Sequence, residues 1–209
     1  MRQYNINVDE LPKKVIIDGE PFAVNYGFRT CMLIEICMFG DLPDEEKIAN
    51  ALHLFYGERI PNNRDEAIKA MLWFYACGPE EDGQDSAKAT APKRAIRRAY
   101  CFDQDAPMIY AAFMSQYRID LNQTLSCELH WWKFVAMFES LDENLLLSRI
   151  MYYRTADTRG MGKKQKSHIE KMRALYALKD PESSLDSKTK LARRNAAMKE
   201  YVRKRMEGK

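Results

Sequence analysis

Trp131 and Trp132 stand side by side in the block Leu129-His130-Trp131-Trp132-Lys133-Phe134. On a helix, neighbouring side chains point about 100° apart, so one narrow apolar stripe cannot take both. A helix carrying this pair is therefore either central and covered on two sides, or it gives one indole to an interface, where tryptophan is enriched. The block opens the richest apolar stretch of the chain, Leu129 to Phe138, with Phe134 and Met137 further along it, and central burial is the expectation. Covering such a helix takes a sizeable core. With 209 residues and 46% apolar side chains the chain can supply one, and disorder throughout is excluded.

The expected architecture is mainly α: a helical body with a small N-terminal β-hairpin over residues 1–158, then a basic helical extension over 159–209. Asp18-Gly19 separates two β-branched, apolar stretches in residues 14–25, the strongest short-range hairpin signal, and Pro21 fits an edge strand. Arg29 to Phe39 is apolar nearly all round and stops at Gly40, as a buried helix would. Asp41 is the expected N-cap of the next helix, which carries Ile48, Leu52 and Phe55 and ends at Gly57. Asn63 caps a third, with Glu66 at capping-box spacing, and Ala67 to Tyr75 runs on to Gly78-Pro79. Residues 78–92 read as a flexible surface loop, and Ala99 to Phe102 as a short strand or extended lead. Asp105 and Asp142 are expected to cap two further helices, one through Ile109 and Phe113, the other through Leu145 to Met151. After the break Gly160-Met161-Gly162, a helix is expected from about His168 to Leu178.

Catalytic chemistry finds little support. The five cysteines are scattered, with no C-x-x-C pair, the usage of reduced cytoplasmic proteins. Cys127 and His130 have C-x-x-H spacing but no second ligand pair for a structural zinc. Glu128 and His130 stand two apart, on different faces of a helix, which removes a di-metal bundle. There is no G-x-S-x-G elbow and no phosphate-binding glycine loop. The expectation is a protein that is not an enzyme, with no catalytic, cofactor-binding or metal-binding residue. No run nears the roughly 18 apolar residues of a membrane span, and Met1 to Asn5 does not resemble the start of a secretory signal.

Charge is distributed unevenly. Residues 159–209 hold 16 Lys and Arg against 6 Asp and Glu, while residues 1–158 hold 17 against 24. Within the basic stretch, Leu191, Met198, Val202 and Met206 form one stripe of an amphipathic helix, too thin to fold alone. Leu191, Arg194, Met198, Val202 and Arg203 are accordingly the expected partner-binding residues. Arg97-Arg98 beside Tyr100 and Phe102, together with the basic tail, could serve nucleic acid, but the acidic body argues against it.

Ordered segments give the chain a family likeness. They include Asp9-Glu10-Leu11-Pro12, Val15-Ile16-Ile17-Asp18-Gly19, Asn25 with Phe28-Arg29-Thr30, and Ala51-Leu52-His53-Leu54-Phe55-Tyr56. Then come Ala70-Met71-Leu72-Trp73-Phe74-Tyr75 with Cys77-Gly78, Tyr100-Cys101-Phe102-Asp103-Gln104-Asp105, Ile109-Tyr110-Ala111-Ala112-Phe113, and Gln116-Tyr117-Arg118-Ile119-Asp120-Leu121. The double-tryptophan block and Ile150-Met151-Tyr152-Tyr153-Arg154 complete the set. In these the chain, from about residue 8 to about 180, resembles the bacteriophage "gene product fifteen" family. The resemblance implies a tail assembly chaperone, encoded beside the tape measure gene, in the host bacterial cytoplasm and absent from the mature virion. Its implied partners are the tape measure protein and the major tail (tube) protein, with self-association also plausible. The alternatives are a structural tail component retained in the particle, or a nucleic-acid-binding protein acting through its basic tail.

Overall fold

Asp18 and Gly19 both take positive φ, 50° and 82°, the conformation a two-residue hairpin turn needs to follow the strand twist. They join β1 (Lys14–Ile17) to β2 (Glu20–Ala23), paired antiparallel from Ile17↔Glu20 to Lys14↔Ala23. Pro21 faces Ile16 at a position whose N–H, by antiparallel alternation, points out of the ladder, so its missing donor costs no bond. Val15, Ile17 and Phe22 turn inward, and Ile16 stands exposed on the other face.

The hairpin belongs to a computed structural model that describes residues 4–78, 97–123 and 128–179. Among them are seven helices: α1 (Phe28–Met38), α2 (Asp44–Tyr56), α3 (Arg64–Tyr75), α4 (Ala106–Tyr117), α5 (Trp131–Glu139), α6 (Leu146–Thr155) and α7 (Lys163–Leu175). The chain divides into two compact units, Met1–Ala177 and Leu178–Lys209. The expected loop is outside the described residues from Pro79 onward, as are Cys127 and the tail stripe with Leu191, Arg194, Met198, Val202 and Arg203.

Several boundaries move for local reasons. Asp41 is not the cap of α2; Pro43 is, with extended ψ of 147°. A residue preceding proline is pushed out of the α region, so the helix cannot start before Pro43. Asp44, Glu45 and Glu46 then fill the first turn, where the helix dipole favours acid. Asp142 is not the cap of α6 either: its carboxylate accepts from the Asn144 amide at 2.7 Å, making a local turn, and Leu145 takes the N-cap. Ala99 to Phe102 forms no strand, and α7 begins at Lys163 directly after Gly162 rather than near His168. Asn63 caps α3 as expected, accepting from Glu66 N at 3.3 Å.

Phe134 of α5 is fully buried and sits at the centre of the core. It stacks on Phe28 of α1, Phe113 of α4 and Trp131, with ring centroids 5.6, 4.9 and 5.6 Å away. The segment before α1 is tied to the start of α5 by backbone bonds, Phe28 N to Leu129 O and Trp131 N to Tyr26 O.

Asp105 stands at the N-cap of α4 as expected, but its side chain serves elsewhere. It is 1% exposed and meets Arg154 of α6, 6% exposed, through two parallel bonds of 2.6 and 2.9 Å. The same carboxylate accepts from Cys101 N, while Arg154 also donates to Ala99 O and Tyr176 O. A desolvated pair stabilises only when its remaining donors and acceptors are filled, and here four of the five Arg154 N–H groups have partners. Arg154→Met strands a buried carboxylate and is expected to cost about 3–5 kcal/mol, with Arg154→Lys in between. Urea denaturation measures this; a loss under about 1 kcal/mol for the methionine variant would contradict it.

Candidate functional site

A helix ends with four carbonyls that have no partner inside it. In α3 these are Leu72, Trp73, Phe74 and Tyr75, and each is satisfied. Ala76 N takes Leu72 O, and Gly78 N takes Trp73 O. The Trp132 indole donates to Phe74 O and the Trp131 indole to Tyr75 O, both at 2.8 Å. The adjacent tryptophans are therefore both buried, as expected of a central helix, and they act together by gripping consecutive carbonyls of one partner. Gly78, at φ +68°, closes the turn; a Cβ there would lie 3.0 Å from Trp132 Cη2 and 3.3 Å from Trp73 Cζ2.

This join sets the position of Tyr75. Its ring stacks on Trp131 with centroids 5.0 Å apart, and its hydroxyl donates to the Glu35 carboxylate on α1. Arg98 approaches the other Glu35 oxygen at 3.7 Å and lies over the Phe39 ring, 3.5 Å from its centroid. Burial raises the Glu35 carboxyl above its ordinary range, against the opposing pull of Tyr75 and Arg98. Burial and the neighbouring Glu35 push the Tyr75 phenol up, and burial chiefly lifts Tyr100 to about 12. All three neutral or paired states suit an apolar wall.

These groups line an open cavity of about 640 Å³. Helices α1 and α3 each pack on α2, and the space between them is the groove. Ile34, Met38 and Phe39 form one wall, Met71, Leu72 and Tyr75 another, and Arg97 to Tyr100 the third. Leu72 is 57% exposed, Phe39 48% and Met38 40%. Helix α1 is thus not buried all round, as its composition suggested: Phe28, Cys31 and Ile34 face the core, while Leu33, Ile36 and Met38 remain outside. The sequence held a signal for this site, an apolar surplus on α1 beyond what one core-facing stripe uses, but such a surplus reads equally as a fully buried helix.

Other candidates find different places. Phe102 is buried and Tyr100 packs on Phe102 and Phe138, so neither ring is presented for base stacking. Among the described residues no three His, Cys, Asp or Glu side chains converge as a metal site, and no helix is long and apolar enough to cross a membrane. Cys31, Cys37, Cys77 and Cys101 are free thiols, with Cys31 raised by burial and Cys77 raised to about 11 for the same reason. Of the described methionines Met71 is buried, while Met32, Met108, Met137 and Met151 pack half-buried against the core.

The family described as Bacteriophage Gp15 protein matches residues 8–178, most of the chain and all of the groove. The chain belongs to that family. It is thereby a phage structural or assembly-related protein. No curated protein and no solved structure matches it. The Gp15 match spans the double tryptophan, the end of α3 and Arg97-Arg98 alike.

His130 holds the start of α5. Its Nδ1 accepts from Trp132 N at 3.1 Å, which leaves Nε2 to donate to Pro12 O at 2.9 Å. That requires the neutral ring, and burial lowers its pKa, with Lys133 and Lys13 adding in the same direction. The unfolded chain takes up a proton at the ordinary histidine pKa of about 6.5, whereas the folded chain does so only at lower pH. Stability contributed by His130 is thus complete above about pH 6.5 and declines as pH falls toward its folded value. Urea midpoints between about pH 7.5 and 5.5 should fall more steeply for the wild type than for His130→Asn, which caps without titrating; equal slopes would contradict this. Gly78→Ala is expected to cost about 1–3 kcal/mol, from positive φ and from crowding Trp132. An unchanged denaturation midpoint would show that the turn relaxes freely.

Proposed function

We propose that this Gp15 protein is a non-enzymatic tail assembly chaperone, acting in the host cytoplasm, which holds the tape measure protein in the α1–α3 groove and helps recruit tail-tube subunits. The observation that carries this reading is an exposed apolar groove whose floor is fixed by hydrogen bonds, in a chain of a phage assembly-related family. A tape measure is a long helical chain with apolar surface, prone to aggregate before the tube encloses it. Shielding it requires an apolar surface that tolerates varied side chains. Met38 and Met71 supply polarizable, flexible contacts in the groove walls. Such a protein has no need of a catalytic residue, and it leaves before the virion is complete.

The test is co-expression of the full chain with the tape measure protein of the same phage. A soluble complex that forms only together is expected, and Leu72→Lys, at an exposed position, should lose it while folding normally by circular dichroism. A tape measure that stays insoluble, or is soluble with nothing bound, would overturn the reading. So would the protein appearing by mass spectrometry as a stoichiometric component of purified virions, which assigns it to the particle instead.

A further inference from the structure

Most of the polar groups along the groove walls are occupied. Glu35 accepts Tyr75 and pairs with Arg98, the Thr155 hydroxyl donates to Met151 O, and Ala99 O accepts Arg154. A small polar ligand is oriented by convergent free donors and acceptors, and these groups offer none to it. The walls instead have the period of a helix partner. Ile34 and Met38 stand one turn apart on α1, and Met71 and Tyr75 one turn apart on α3. A cleft of that form takes anchors repeating at i, i+3 or i+4, and i+7. Charge separates one such helix from another. Arg98 is committed to Glu35 and Phe39, but Arg97 stands exposed at the mouth with no partner among the described residues. Among the described residues the mouth therefore carries a positive charge, on a body whose sequence is otherwise acidic.

We infer that the groove takes the apolar stripe of an amphipathic α-helix from another protein, and that Arg97 selects a helix bearing a carboxylate beside that stripe. The inference rests on the groove being the partner surface and adds which helices it accepts. Positive charge at the mouth favours acid-flanked helices and repels lysine-flanked ones, through an exposed contact that tunes specificity more than affinity.

The test uses two synthetic helical peptides with leucines at i, i+3, i+4 and i+7, one flanked by glutamates and one by lysines, titrated into the full chain by fluorescence anisotropy. The glutamate peptide should bind about threefold or more tighter at low salt, with the margin narrowing as salt rises. Arg97→Glu should reverse the preference, and Leu72→Lys should weaken both peptides. Equal binding of the two peptides, or a preference that Arg97→Glu leaves in place, would overturn the inference while a Leu72-dependent tape measure complex still stood. Peptide binding that ignores Leu72→Lys would remove the groove itself as the site. Sedimentation of the peptide-free protein gives the remaining arm: a dimer that Leu72→Lys dissociates would assign the groove to a second copy and overturn the inference.

Discussion

Two indole N–H groups hold the body of this protein together at one point. Trp131 and Trp132 reach from the first turn of α5 to the last two carbonyls of α3, Phe74 O also taking the Cys77 backbone N–H. An aliphatic side chain in place of either indole would leave Phe74 O with Cys77 N alone, or Tyr75 O with only the long contact of the Cys77 thiol. Because adjacent helical positions diverge, gripping neighbouring carbonyls requires α5 to meet the end of α3 with the two rings to either side of it. Gly78 lets the chain turn away beneath them, and His130 fixes the angle at which α5 begins. Tyr75, Glu35 and Arg98 follow outward from this join, so the groove is an extension of the core.

The buried pair between Asp105 and Arg154 is a second fixed point, of a different kind. It binds the segment before α4 to α6 and to the end of α7 through one guanidinium. Its cost is desolvation, and its return is directional: a planar fork of donors specifies where three chain segments meet. The result is a third groove wall, Arg97 to Tyr100, held in place from behind although it has no secondary structure of its own.

Much of the fold was legible in the sequence because its signals were local. Asp18-Gly19, Asn63 with Glu66, and the double tryptophan each depend on neighbours within a turn or two. Asp41 and Asp142 misled because several acids or amides stood close together and the cap went to the residue whose backbone fitted, Pro43 in one case and Leu145 in the other. Asp105 was legible as a helix start but not as the mate of Arg154, since nothing local pairs residues 49 apart. The groove was the least legible. Its residues come from four separated segments, and each taken alone, such as Met38, Leu72 or Arg98, reads as ordinary core or surface.

Trp73, Trp131 and Trp132 are all the tryptophans of the chain, and they meet at one place. The Trp73 and Trp132 rings lie 5.7 Å apart, and Trp131 stacks on Tyr75, a groove wall residue. Emission excited where only tryptophan absorbs therefore originates in a single region rather than averaging over the molecule. Its spectrum is a built-in optical gauge of the end of α3, and a guest settling against Tyr75 can be followed in real time without attaching a dye.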